Sequence, residues 1–460
     1  MTIDFYQLPA SPPCRTIFFT AQHLGIKLNE KYVDLFAGEH LKPEFLKMNP
    51  QHTVPVINDD GFCLTESRAI VTYLVNKYAP NHPIYPEDPK KRAVIDRMLY
   101  LDAGLFAAIR DITMPLWLKG TPPSQEKLEA IKKHLNIFEE SLGKTSYAAA
   151  DHITLADFSF TANIEHLKII DIDLSGYPRI TAWMQKLKKE IPNFHEINEV
   201  PVQKVIEYFK NRESTPHVSE YQFPSTSTLR FAVKETGTAL TANIMTIDLY
   251  QLPESPPCRT VIFTAQHLGI KLNEKYMDLF TGEHLKPEFL EINPQCTVPV
   301  INDDGFYLWE SRAIAAYLVN KYAPNHPIYP EDPHERAVID RMLYLDCGLF
   351  AAERNIMVPL WKKGTPPSQE HLEALKKQLN IFEESLGKTS YAAADHITLA
   401  DFSLVTHIEQ VRVINFDLSG YPRITVWMQK LKKEIPNFHE INEVPVQKCK
   451  EYFENKKHIP

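Results

Sequence analysis

The sequence predicts an α/β domain followed by an all-helical domain, with the pair built twice in one chain. Three observations carry that prediction. First, Met1–Pro9 returns almost unchanged as Met245–Pro253, and the two copies run in step, offset by 244, to Arg212 and Lys456; about four positions in five are identical. Second, short strand and helix patterns alternate in each copy up to about residue 80. Third, the texture beyond Pro80 and Pro83 is helical. A period this long is no solenoid, whose units run to roughly 20–50 residues. Each copy has the length of a complete small protein.

Ile3–Leu8 alternates as a strand, and Pro13–Leu24 reads as a helix with proline at its start. Lys31–Leu35 reads as a second strand and Lys42–Met48 as a short helix. Val54–Asn58 and Phe62–Leu64 form a hairpin around Asp59, Asp60 and Gly61, and Glu66–Lys77 carries apolar residues at helical spacing. That order gives a small mixed sheet with helices on its faces. Farther on, Arg92–Ala108 and Gln125–Leu142 are amphipathic. Thr154, with Asp157 three positions on, makes a capping-box-like helix start, and Ile153 and Phe158 occupy the staple positions. Ile180–Glu190 and Val202–Asn211 close the copy. The expected boundaries are 1–80 and 86–212 for the first pair of domains, and 245–324 and 330–456 for the second. Between them, 213–244 lacks helical periodicity and reads as a flexible linker. Its r.m.s. span of about 30 Å lets the copies pair with each other as a pseudo-dimer, or each with a copy in another chain as a homodimer.

A net charge of -8 over 460 residues argues against a nucleic-acid partner, which needs a basic surplus or stripe. No apolar run approaches the roughly 20 residues that span a bilayer. The N-terminus shows no basic segment followed by an apolar one, so no secretory signal is expected. Of the six cysteines only Cys14 and Cys258 match between copies, and a disulfide framework would repeat. They read as free thiols of a reducing compartment, and the expected location is cytoplasmic. No His, Cys or Asp spacing fits a zinc or iron site, so no metal is expected.

Five motifs recur in both copies in one order: Leu8–Arg15, Gly38–Phe45, Asn49–Pro55, Glu66–Arg68 and His152–Phe158; the second copy has Glu254 for Ala10 and Cys296 for His52 and otherwise repeats them unchanged. Each is weak alone; together they resemble the cytosolic glutathione transferases, most closely the insect delta and epsilon classes. The likeness covers both copies and spares only the linker. It implies a thioredoxin-like domain that holds glutathione, a helical domain that holds a small hydrophobic electrophile, and dimers. Glutathione is then a co-substrate, and no cofactor is implied.

Read from its own position, Ser11 sits at a strand-to-helix turn before Pro12 and Pro13 and suits a helix N-cap. The same place suits a hydroxyl that donates to a thiolate, because the helix dipole favours an anion there. The resemblance gives that role to Ser11 and Ser255. Val54-Pro55 reads locally as a turn or strand start. The resemblance implies a cis bond there, with the Val54 backbone pairing with that of glutathione, and likewise for Val298 and Pro299. Glu66 and Ser67 begin a helix, and the resemblance has them hold the γ-glutamyl end, as Glu310 and Ser311 would in copy two. Arg68 and Arg312 either add charge there or form surface ion pairs. Loop residues His40 and His52 would hold the glycyl carboxylate. In copy two His284 keeps this role, but Cys296 offers no imidazole, so glutathione should bind there more weakly by about 1 kcal/mol.

Phe106, Arg110 and Met114 follow i, i+4, i+8 spacing on one helix face, with Trp117 beyond. By periodicity alone this is a core stripe, Met114 above all. By resemblance it lines an acceptor pocket with Tyr208 and Phe209 of the last helix. Copy two offers Phe350, Arg354, Val358 and Trp361, and has Glu353 for Ile109 and Asn355 for Asp111, which implies different acceptor preferences. The expected activity is conjugation of the glutathione thiolate to apolar electrophiles, a detoxification chemistry. The alternatives are a carrier of hydrophobic ligands and a glutathione-dependent reductase of organic hydroperoxides. Disulfide exchange fits poorly, because serine stands in Ser11-Pro-Pro-Cys14 where the attacking cysteine belongs.

Overall fold

The computed structural model describes residues 2–212, 246–279 and 281–456. The chain divides into two compact units, one holding each copy. The linker expected at 213–244 lies outside the described residues, as does the side chain of Phe209.

The first unit opens with β1 (Ile3–Gln7), α1 (Pro12–His23), β2 (Leu28–Tyr32), α2 (Pro43–Met48), β3 (Val56–Asp59), β4 (Phe62–Thr65) and α3 (Ser67–Tyr78). The sheet order is β2-β1-β3-β4. β1 runs parallel to β2, with α1 as the crossover, and the β1–β3 and β3–β4 pairs are antiparallel. Phe5, Ile57 and Leu64 fall opposite one another across three strands, and all are fully buried. Phe5 meets Phe18 of α1 edge-on at 5.0 Å, so this row faces the helix layer. β2 lies earlier than the Lys31–Leu35 expected. Its residues Asn29, Glu30 and Lys31 are polar, as suits an edge strand, and give no alternation to read. Beyond Val33 the chain turns, because Asp34 Oδ1 accepts from the Phe36 and Ala37 amides at 2.9 and 3.0 Å.

The helical part holds α4 (Pro89–Lys119), α5 (Gln125–Ser141), α6 (Leu155–His166), α7 (Pro178–Glu190) and α8 (Val200–Arg212). α4 does not end near Ala108 as its pattern suggested but continues through Pro115 to Lys119. It starts where Asp88 accepts from the Lys91 amide, and it stops at Gly120, whose left-handed φ of 65° favours glycine. The capping box forms at α6: Asp157 Oδ2 accepts from the Thr154 amide and hydroxyl at 2.8 and 2.9 Å. Asp157 Oδ1 takes Trp183 Nε1 and the Ala148 amide, both at 2.9 Å. A carboxyl with this many donors tolerates full burial, although burial still pushes its pKa up.

The second unit repeats the order as β5 (Ile247–Gln251), α9 (Pro256–His267), β6 (Leu272–Tyr276), α10 (Pro287–Ile292), β7 (Val300–Asp303), β8 (Phe306–Trp309), α11 (Ser311–Tyr322), α12 (Pro333–Lys363), α13 (Gln369–Ser385), α14 (Leu399–Gln410), α15 (Pro422–Glu434) and α16 (Val444–Lys456). All six cysteines are free. Among the described residues no helix is long and apolar enough to cross a membrane.

In each unit a fully buried arginine pins the helical part to the first helix. Arg15 donates to the carbonyls of Asn198 (3.1 Å) and Ala162 (3.0 Å), to Asn198 Oδ1, and to His166 Nδ1 at 3.4 Å. Burial lowers the Arg15 pKa to about 9. Burial, and then Arg15 itself, hold the His166 imidazole well below its ordinary value. A base whose pKa is depressed by folding gives stability that is present above its unfolded pKa, about 6.5, and is lost as pH falls below it. The second unit has Gln410 there, accepting from Arg259. His166→Gln is therefore expected to flatten the loss of thermal stability of the first unit between about pH 7 and pH 5. Melting curves across that range, identical for variant and parent, would count against it.

Candidate active site

Ser11 precedes α1 with φ -69° and ψ 121°, and its side chain makes no N-cap hydrogen bond; Ser255 repeats this before α9. Both hydroxyls instead lie beside the buried thiol one turn in, and each thiol also approaches a backbone partner, Leu8 or Leu252. Burial drives the Cys14 and Cys258 pKa values up to about 11 and about 12, against those hydrogen bonds, so both remain thiols.

The Val54-Pro55 and Val298-Pro299 bonds are both cis, and each leads into the third strand of its sheet, β3 or β7. Glu66 and Glu310 precede α3 and α11 with φ of 67° and 69°, a region that side chains other than glycine seldom occupy. Such backbone costs about 1–3 kcal/mol and persists only where its surroundings fix it. Turned to suit both neighbours, the Gln295 amide donates to Glu310 Oε1 at 2.8 Å and accepts from Trp309 Nε1 at 3.1 Å. Ser67 and Ser311 follow, both buried.

His40 stands in a single 3-10 turn, Glu39–Leu41, with its ring 6.0 Å from that of His52. Its Nδ1 is enclosed without a partner among the described residues, and burial lowers its pKa. His52 has a left-handed φ of 48°, and Cys296 in the second unit keeps that backbone at 55° while its Sγ turns to the Pro294 carbonyl at 3.5 Å.

Arg68 is a correction. It forms no surface pair: it is buried, and its Nε donates to Asp102 Oδ2 at 3.1 Å, with a second bond from Nη2. Asp102 on α4 also accepts from Ser159 and, at 2.6 Å, from Asn163 Nδ2 on α6. The guanidinium thus ties α3, which Ser67 begins, to the helical part. Arg312 does the same with Asp346. Sequence reasoning missed Asp102, Asp346 and Arg15, because each looks like one more polar residue on an amphipathic helix.

The acceptor residues divide. Phe106 lies under the Arg68 guanidinium at 5.9 Å, and Trp117 meets the His166 ring edge-on at 5.8 Å. Arg110 is exposed, and Met114, which periodicity assigned above all to the core, is 41% exposed. Tyr208, 49% exposed on α8, meets Phe36 of the loop after β2 at 5.9 Å, so the last helix and the sheet domain face each other there. In the second unit Phe350 lies 5.1 Å from the His407 ring, Trp361 stacks with Phe453 at 6.5 Å, Val358 is half-buried and Arg354 is exposed.

The model of the glutathione S-transferase N-terminal domain matches residues 5–82 and again 249–326, and that of the C-terminal domain matches 98–190 and 349–434. The chain belongs to the glutathione S-transferase family, twice over. Similar solved structures include a Nilaparvata lugens delta-class glutathione transferase, 39% identical, with a TM-score of 0.44, covering 45% of this chain and 99% of its own. A Musca domestica epsilon-class enzyme is 37% identical, with a TM-score of 0.44, covering 45% and 97%. A glutathione transferase homolog from Drosophila mojavensis, solved with bound glutathione, is 31% identical, with a TM-score of 0.43, covering 46% and 97%. The chain is a glutathione S-transferase in which each half carries one N-terminal and one C-terminal domain of the family. Among the described residues of this transferase, no group of three or more His, Cys, Asp or Glu side chains is placed to hold a metal ion.

Proposed function

We propose that each half holds glutathione on its sheet domain and joins the glutathione sulfur to an apolar electrophile on its helical domain. The observation that carries this reading is the state of Ser11 and Ser255: each stands at a helix N-terminus with a hydroxyl not spent on capping. From there it donates to the sulfur, and the helix dipole favours the thiolate over the thiol. With an aryl halide, the sulfur forms the C–S bond as the halide leaves with its electron pair, and the thiol proton passes to water. Holding both substrates together supplies the remaining acceleration.

His40 and His52 take the glycyl carboxylate, a role supported by the His40 Nδ1, which has no hydrogen-bond partner among the described residues. The Val54 backbone, before Pro55, pairs with the peptide, and Glu66 and Ser67 take the γ-glutamyl end. His284, Cys296, Val298, Pro299, Glu310 and Ser311 are their counterparts. Arg68 and Arg312 act as positioning residues through Ser67 and Ser311. The acceptor lies against Phe106, Arg110, Met114, Trp117 and Tyr208, or Phe350, Arg354, Val358 and Trp361. Free cysteines fit the cytoplasm.

The test is conjugation of a generic aryl halide by the intact chain, Ser11→Ala, Ser255→Ala and the double variant. Losing a hydrogen bond to an anion, about 1.5–3 kcal/mol, lowers kcat/KM by roughly tenfold to a hundredfold in the half affected. Ser11→Ala is expected to remove most activity and Ser255→Ala little. A parent chain that is inactive yet binds glutathione and hydrophobic dyes would replace this reading with the carrier. Separately, Cys296→His should tighten glutathione binding in the second half by about fivefold in calorimetric titration, the equivalent of one hydrogen bond; unchanged affinity refutes that assignment.

A further inference from the structure

The residue just before the site serine differs between the halves. It is Ala10 before Ser11 and Glu254 before Ser255. Glu254 is only partly exposed, and its Oε2 is enclosed with no hydrogen-bond partner among the described residues. Its charge acts on groups of three elements: Cys258 on α9, Tyr276 on the edge strand β6, and Cys449 on α16. Glu254 therefore lies near both the sheet domain and the last helix of its unit.

The charges around Cys449 show why Glu254 is the unanswered one. Burial drives the Cys449 pKa up to about 11; the Trp361 indole works against that, and Glu254 adds to it ahead of Arg259 and Glu353. Arg259 is already engaged by Asn442, the Thr406 carbonyl and Gln410. Glu353 accepts from His407 Nδ1 at 2.6 Å. An enclosed carboxylate oxygen lacking a donor is costly unless a ligand answers it.

We propose that Glu254 makes the second half selective for electrophiles that carry a positive charge, such as a quaternary ammonium, close to the reacting carbon. Ala10 leaves the first half open to uncharged ones. The inference rests on the reading that Ser255 faces the glutathione sulfur. The reaction is otherwise unchanged: a C–S bond forms, halide leaves as the anion, and the thiol proton goes to water. The carboxylate only pairs with the acceptor's cation. The two halves would then widen the range of acceptors one chain handles.

The test uses the full chain carrying Ser11→Ala, so that turnover reports mainly on the second half. A nitroaryl chloride bearing a trimethylammonium group is compared with its uncharged tert-butyl isostere. Glu254→Gln is expected to lower the cationic-to-neutral ratio of kcat/KM about tenfold, the value of one charge-assisted contact. Ala10→Glu in a Ser255→Ala chain should raise that ratio in the first half. If the isosteres are conjugated but their ratio does not move in either variant, the inference falls and the transferase reading stands. If the parent chain conjugates neither, the transferase reading fails. Titration of the two glutathione conjugates then decides: a preference for the cationic one that Glu254→Gln abolishes upholds the cation site, and no preference overturns it.

Discussion

Asp102→Ala is expected to destabilise the first half by about 3–5 kcal/mol, the cost of leaving a buried guanidinium without its carboxylate. Arg68 and Asp102 are both buried, and Ser159 and Asn163 give the same carboxylate its remaining donors. Removing it orphans three donor groups at the junction of α3, α4 and α6. The effect should reach the site, because Arg68 sits one residue beyond Ser67 at the start of α3. Urea unfolding of the intact chain, with hydrogen exchange to separate the halves, measures the first part, and glutathione titration the second. Peptides from α3 and α6 that keep their protection in the variant would sink the idea. Asp102→Asn, which keeps one acceptor oxygen, should lose less.

The second half answers the same junction differently, and there a double-mutant cycle should show strong coupling. His407 replaces Asn163 and Glu353 replaces Ile109. His407 Nδ1 donates to Glu353 Oε2 at 2.6 Å, and its Nε2 accepts from Arg312 at 3.5 Å. One oxygen of Asp346 has lost the amide that Asn163 gives Asp102, and it has no partner among the described residues. Glu353→Ile alone leaves a buried imidazole N–H without an acceptor, and His407→Asn alone leaves a buried carboxylate without a donor. Each should cost about 2–4 kcal/mol. The double variant restores the arrangement of the first half and should lie within about 1 kcal/mol of the parent, a coupling of several kcal/mol. Additive losses would mean that the pair does not act as a unit.

Most of the architecture was legible because it is written in local chemistry. The strand alternation of Ile3–Gln7, the prolines that open α1 and the capping box at Thr154 each determine backbone conformation over a few residues. β2 was misplaced because an edge strand buries too little to force alternation, and α4 was cut short because a proline near a helix end looks like a stop. The motifs around Ser11, His40, Val54 and Glu66 were visible as a set, since two nearly identical copies place them in the same order.

By itself, then, the sequence determined the repeat, the α/β-then-helical order and the family, all of which rest on residue type and spacing along the chain. Only the tertiary structure decided that the Ser11 hydroxyl is not spent as a cap, that Arg68 belongs to a buried interdomain ion pair, and that Glu254 comes near enough to Cys449 of the last helix for its charge to act there. The last two depend on which side chains meet across more than thirty residues of chain, and all three on geometry in space, because Coulomb and hydrogen-bond energies follow distance in space and burial rather than distance in sequence.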